Sequence, residues 1–282
     1  MASQAAADAG LETIEATLNY LHDTGETPWT YTGGPGSMER KNNWHSEPHS
    51  VAIHDGRPVA GGFSLDREGF RFLRHDTRVM DFYDEAEIRA VYYPEMEELI
   101  RRETGAARVV VFDHTVRTAD EAVQAARGVR EPVRRVHNDY TEWSGPQRLR
   151  DVLPDEAEAL MRRRFAIVQT WRPIRLPIAT APLAMCDATT IAPEDMVVAE
   201  RRYPDRVGQT FAVKHNPSHR WYWIPRMRRE EAFVFKVYDS ARDGRARWTA
   251  HTAFDNPLAP PDAPPRESIE IRTLALFGEQ AG

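Results

Sequence analysis

His137, Asn138 and Asp139 form an H-x-D triplet, a second histidine, His251, follows far downstream, and Arg266 opens an R-x-S triplet that ends at Ser268. Two imidazoles and one carboxylate on one side of a ferrous ion leave three positions open for a cosubstrate and O2. An arginine beyond the second histidine can clamp a dicarboxylate through paired, charge-assisted hydrogen bonds, with a serine hydroxyl as a further donor. The layout points to a mononuclear non-haem iron site that uses 2-oxoglutarate. Fe(II) would sit on His137, Asp139 and His251, and the far carboxylate of the cosubstrate on Arg266 and Ser268. Zinc on the same three ligands, as in a hydrolase or lyase, is the chemical rival. H-x-D alone is a common triplet. The order of the groups and their strand contexts give it weight.

Period-two geometry orders the weaker candidates. Alternate side chains of a strand share a face. Arg272 falls on the face of Arg266 and Ser268 and is a fallback clamp, and Glu270 between them could pair with either arginine. Gln169 shares a face with Trp171 and could hydrogen-bond the cosubstrate. Tyr222, Trp171 and Arg172 are candidates for a substrate pocket, which is mostly apolar with a few polar anchors. His215 and His219 flank Asn216-Pro217-Ser218 and read as a turn. His45, His49 and His54 have no acidic partner at a readable spacing.

The elements that must carry these residues are mostly strands. From Pro182 onward, strand-like runs recur at Leu183–Cys186, Met196–Glu200, Gln209–Val213, Trp221–Ile224, Ala232–Tyr238, Arg247–Phe254 and Ser268–Phe277, with turn residues between them. Many short strands at this spacing suggest an antiparallel barrel or jelly roll. Upstream, Ala107–Asp113 and Phe165–Trp171 read as buried strands, and Val51–Ile53 and Gly62–Leu65 as short ones. Asp81–Thr104 is the clearest helix, with Ile88, Val91, Tyr92, Met96, Leu99 and Ile100 on one stripe, a break at Pro94 and a stop at Gly105. Leu11–Tyr20 reads as a short helix or lead-in, and Thr24–Pro48 as a loop around Gly33-Gly34-Pro35-Gly36. The expected division is an N-terminal extension over residues 1–50 and a single domain with helical insertions over residues 51–282.

Composition narrows the class. The chain has 282 residues, 41% hydrophobic and 28% charged, enough for a large core without staples. Lys+Arg 37 against Asp+Glu 43 leaves a formal −6, no basic excess for nucleic acid. Cys186 is the only cysteine, so no intramolecular disulfide forms, which suits a reducing cytoplasm. No apolar run is long enough for a membrane helix, and Met1 to Gly10 has no signal-peptide pattern. The expected partner is a small-molecule substrate, with neither nucleic acid nor membrane.

Val136 to Trp143, Gln169 to Ile174, His219 to Met227, Glu230 to Ser240, Ala250 to Pro257 and Arg266 to Arg272 together resemble the AsaB-like hydroxylase/desaturase family. That family includes the smaller component of cephalosporin 7α-methoxylase. The resemblance covers about Glu85 to Phe277. It implies a double-stranded β-helix (jelly roll, cupin-like), mainly β with flanking helices. It also implies Fe(II), 2-oxoglutarate and O2, specialised metabolism, and His137, Asp139 and His251 as ligands with Arg266 and Ser268 at the cosubstrate. A homodimer, or a partner tailoring enzyme that a non-catalytic jelly roll supports, stays open. The methyltransferase label carried by some members finds no glycine-rich motif here.

Overall fold

The computed structural model describes residues 10–33, 39–175 and 177–278. Gly34, Pro35 and Gly36 of the glycine-rich stretch, and residues 1–9, lie outside them.

Two sheets face each other. The larger runs in the order β1 (Thr13–Leu21), β4 (Ser46–Asp55), β12 (Trp221–Trp223), β9 (Leu183–Cys186), β14 (His251–Ala253), β7 (His137–Asn138), β11 (Val207–Val213), β10 (Met196–Arg202), β2 (Trp29–Thr32) and β3 (Arg40–Asn42). The smaller is β5 (Phe70–Arg74), β13 (Glu231–Asp239), β8 (Phe165–Pro173), β15 (Glu267–Leu276) and β6 (Arg108–Thr118), antiparallel throughout. This is the jelly-roll architecture expected. The inward faces interlock through Phe70, Trp171, Met185, Tyr222, Phe235 and Leu274.

The outer face of the smaller sheet carries β-branched and small residues, Val168, Ile269, Ile271 and Ala275, which pack under helix α1 (Tyr93–Thr104). Met96, Leu99 and Ile100 of α1 are buried there, at roughly 1.5–3 kcal/mol each. Pro94 starts α1, Gly105 ends it in the left-handed region at φ 70°, and a single π-turn over Ile88–Tyr92 joins it to a short helical turn capped by the Asp84 side chain. The helix therefore forms in the two segments that Pro94 dictates.

Three expectations fail: Thr24–Pro48 is not a loop throughout, since it carries β2, β3 and the start of β4, all in the larger sheet. Leu11–Tyr20 is not helical: Thr13–Leu21 is β1, paired with β4 along its full length. Its Ala16, Leu18 and Tyr20 are buried at every second position, and the β-branched Thr13, Ile14 and Thr17 favour a strand. Gly62–Leu65 is not a strand. A 3-10 turn over Ala60–Gly62 leads into a loop closed by Gly69 N–H on the Ser64 carbonyl (3.0 Å) and Ser64 N–H on the Glu68 carboxylate (2.8 Å). Gly61 and Gly62 offer a ladder no side chains to pack. No helix among the described residues is long and apolar enough to cross a membrane.

Candidate metal centre

β7 and β14 pair with His137 directly opposite His251, which sets the two imidazoles side by side, their planes tilted by 51° and their ring centroids 4.4 Å apart. Asp139 lies just past β7, its Oδ1 3.5 Å from His137 Nε2. The middle residue of the triplet points the other way and fixes the whole. The buried Asn138 amide donates to the Tyr140 and Val237 carbonyls at 2.8 and 3.0 Å and accepts from Thr249 N–H at 3.2 Å. One side chain thus ties the H-x-D turn to β13 and to the lead-in of β14. Each potential ligand atom of His137, Asp139 and His251 lies within 4.8 Å of the others.

The donor set fits a divalent metal. His137 Nδ1 is 2.7 Å from the Arg135 carbonyl and His251 Nδ1 is 3.0 Å from the Thr249 carbonyl. A carbonyl can only accept, so Nδ1 carries the proton on both rings and both Nε2 lone pairs are free. Burial, reinforced by the His251 ring and opposed by Asp139, pushes His137 down to about 3, which keeps the imidazole neutral. Burial alone would raise Asp139. Arg272, the two imidazoles and the Gln169 amide outweigh it and hold the carboxyl well below its usual range. A neutral–neutral–anionic ligand face is what a ferrous ion takes.

The family described as "Oxidoreductase/YMDC permease-like domain" matches residues 18–276. The hydroxylase/desaturase efuI of Hormonema carpetanum is 32% identical, over 95% of this chain and 96% of that protein. The Fe(II)/2-oxoglutarate-dependent dioxygenase nvfI of Aspergillus novofumigatus is 33% identical, over 90% and 91%. The solved structure of the iron and alpha-ketoglutarate-dependent endoperoxidase NvfI superposes with a TM-score of 0.82 at 29% identity, covering 95% of this chain and 99% of that one. The chain belongs to the Fe(II)/2-oxoglutarate-dependent hydroxylase/desaturase family.

Around the candidate ligands of this oxygenase, Arg266 just before β15 and Ser268, Glu270 and Arg272 on it face the interior in succession, as period two requires. Arg266 is buried, donating from Nε to Ser268 Oγ (2.9 Å) and from Nη1 to the Ala181 carbonyl (2.8 Å), with its guanidinium over the Trp171 ring at 4.8 Å. It pairs with no carboxylate among the described residues. Burial and the neighbouring Arg117 guanidinium push it down to about 9, so it stays charged at neutral pH.

Arg272, the fallback clamp, is otherwise engaged. It pairs with Glu270, with Asp113 (3.0 Å) and, from Nε at 3.6 Å, with Asp139 Oδ2. Gln169 also turns to the ligand: its Nε2 donates to Asp139 Oδ2 at 2.7 Å. Both side chains hold the Asp139 carboxylate rather than a position at the cosubstrate.

Of the substrate-pocket candidates, only Trp171 lines the metal cavity. Arg172 is one residue out of phase and points through the sheet to the α1 side, donating to the His75 carbonyl near the Tyr92 ring. It cannot touch a substrate at the metal. Tyr222 lies in the shared core against Phe63 and Phe70, with ring centroids at 4.9 and 6.2 Å, outside the cavity lining. Arg117 on β6 and Val133 complete the cavity wall, and neither was singled out by sequence. A larger hollow of about 500 Å³, walled by Trp223, Pro225, Asn256 and Pro264, contains none of the three ligands. Ligand convergence, not volume, locates the chemistry.

Proposed function

We propose that His137, Asp139 and His251 hold Fe(II) in this oxygenase, that Arg266 and Ser268 receive the distal carboxylate of 2-oxoglutarate, and that a small molecule of specialised metabolism is hydroxylated or desaturated at an unactivated C–H bond. One observation carries the reading. Two Nε2 lone pairs and one carboxylate converge beside a buried arginine with no carboxylate partner among the described residues.

Bound Fe(II), with 2-oxoglutarate and O2, supplies the oxidising power for removing hydrogen from such a bond. The residues do the positioning. The Arg135 and Thr249 carbonyls fix the ring orientation and tautomer of the two histidines. Gln169 and Arg272 aim Asp139. Arg266 and Ser268 set the cosubstrate's register from its far end. Trp171, Val133 and Leu183 supply the apolar part of a mostly polar cavity wall. The single described cysteine is buried and free, in keeping with a cytoplasmic enzyme.

The test is succinate formation from 2-oxoglutarate by the isolated chain. The reading expects it to need both Fe(II) and O2 and to vanish in Asp139→Ala. Turnover of a substrate under strict anaerobiosis without 2-oxoglutarate would favour the zinc hydrolase or lyase. A folded chain that makes no succinate alone, yet raises the activity of an added tailoring enzyme, would favour the non-catalytic partner.

A further inference from the structure

Arg117 is the cation that neither the metal ligands nor the R-x-S triplet accounts for. It sits on β6 with Ser268 as its cross-strand partner on β15. Directly opposed residues of an antiparallel pair point to the same face. Arg117 therefore faces inward beside Ser268 and diagonal to Arg266, and all three ligand side chains line the same cavity with it. Its Nη1 donates to the Glu131 carbonyl at 2.9 Å. Like Arg266, it forms no ion pair among the described residues. Arg117 is close enough to Arg266 to lower the proton affinity of its guanidinium. Arg272, by contrast, is surrounded by Glu270, Asp113 and Asp139.

Glu270 favours the charge on both guanidiniums but is itself paired with Arg272, so two cations with no carboxylate of their own among the described residues face a cavity that an arriving anion would stabilise. Arg266 gives its Nε to Ser268 and one Nη1 hydrogen to Ala181, which leaves at most its end-on Nη1/Nη2 pair, two hydrogen bonds, for a carboxylate. A carboxylate accepts about four hydrogen bonds. Ser268, accepting from Arg266, keeps its own O–H to donate.

We propose that Arg117 is a second binding residue for the distal carboxylate of 2-oxoglutarate, so that this carboxylate lies between guanidiniums from β6 and β15. The proposal rests on the cosubstrate assignment above and extends it to a residue outside the motif. It makes the cavity selective for 2-oxo acids that carry a second carboxylate.

The test compares two keto acids on the Fe(II)-loaded chain under anaerobic conditions, reading the visible charge-transfer band of the keto-acid chelate. 2-Oxoglutarate carries the distal carboxylate, and 2-oxopentanoate has a methyl in its place. In Arg117→Met the Kd for 2-oxoglutarate should rise roughly ten- to hundredfold, the loss expected for a hydrogen-bonded charge pair, while that for 2-oxopentanoate stays at the wild-type value. Arg117→Lys, which keeps the charge and most of the length, should recover part of the loss. Wild-type affinity for 2-oxoglutarate in Arg117→Met overturns the proposal. An equal loss for both keto acids also overturns it, because Arg117 would then only brace the Glu131 segment. A wild-type chain that binds 2-oxopentanoate as well as 2-oxoglutarate removes the distal-carboxylate assignment itself, Arg266 included.

Discussion

Replacing Gln169 with leucine isolates the support of the aspartate ligand. The Gln169 amide is fully buried and gives Asp139 Oδ2 its shortest hydrogen bond, 2.7 Å, whereas Arg272 Nε stands at 3.6 Å, beyond direct bonding. A hydrogen bond to a charged group is worth about 1.5–3 kcal/mol, and losing it loosens the carboxylate that must meet the metal. That corresponds to a rise in metal Kd of roughly ten- to 150-fold, in the range of other residues that support metal ligands from behind. The fold should tolerate the change. Leucine has similar bulk, and the Gln169 Oε1 it removes is buried without a partner. An anaerobic Co(II) titration, read by the d–d absorption of the bound ion, reports affinity, and a thermal melt of the apo chain reports folding. A folded Gln169→Leu protein with unchanged Co(II) affinity would refute the view that this amide positions the ligand.

Arg266→Met should raise the Kd for 2-oxoglutarate by about a hundredfold while leaving Co(II) affinity unchanged, because Arg266 touches Ser268 and Ala181 but no metal ligand; an equal loss of both affinities would point to a purely structural arginine. Arg172→Met should change neither affinity and should leave thermal stability unchanged or higher, since a fully buried guanidinium without a carboxylate partner is replaced by an apolar chain of similar length; a lower Kd-based selectivity for any substrate in that variant would return Arg172 to the site. Gly69→Ala should destabilise the fold by about 2 kcal/mol or more and weaken metal binding. Gly69 stands at φ +85°, and an added Cβ would meet Thr249 Oγ1 at 2.1 Å, two residues before His251. An unchanged melting temperature would show that β14 yields without cost.

The convergence of the candidate metal site was readable because its parts obey short-range rules. His137 and Asp139 are two apart at a strand end, Arg266 and Ser268 two apart on β15, and no long-range information is needed to see that each pair converges. The pairing of His137 with His251 is different in kind: it depends on β14 lying between β9 and β7, which the chain order does not reveal. Two misplacements came from face parity ignored or misread. Arg172 follows Trp171 directly, so it had to face the helix side, and β1 shows alternate burial at Ala16, Leu18 and Tyr20 that a strand explains. Arg117 escaped notice because its significance lies in the cross-strand register of β6 against Ser268. Gln169 and Arg272 were recognised as inward-facing, but which polar group each would meet was set by the turn that Asn138 pins.

Anomalous diffraction at the iron edge, from crystals grown anaerobically with Fe(II), tests the ligand assignment most directly. One strong peak is expected within coordination range of His137 Nε2, His251 Nε2 and the Asp139 carboxylate. A peak anchored elsewhere, or none at this triad in an iron-loaded crystal, would contradict it.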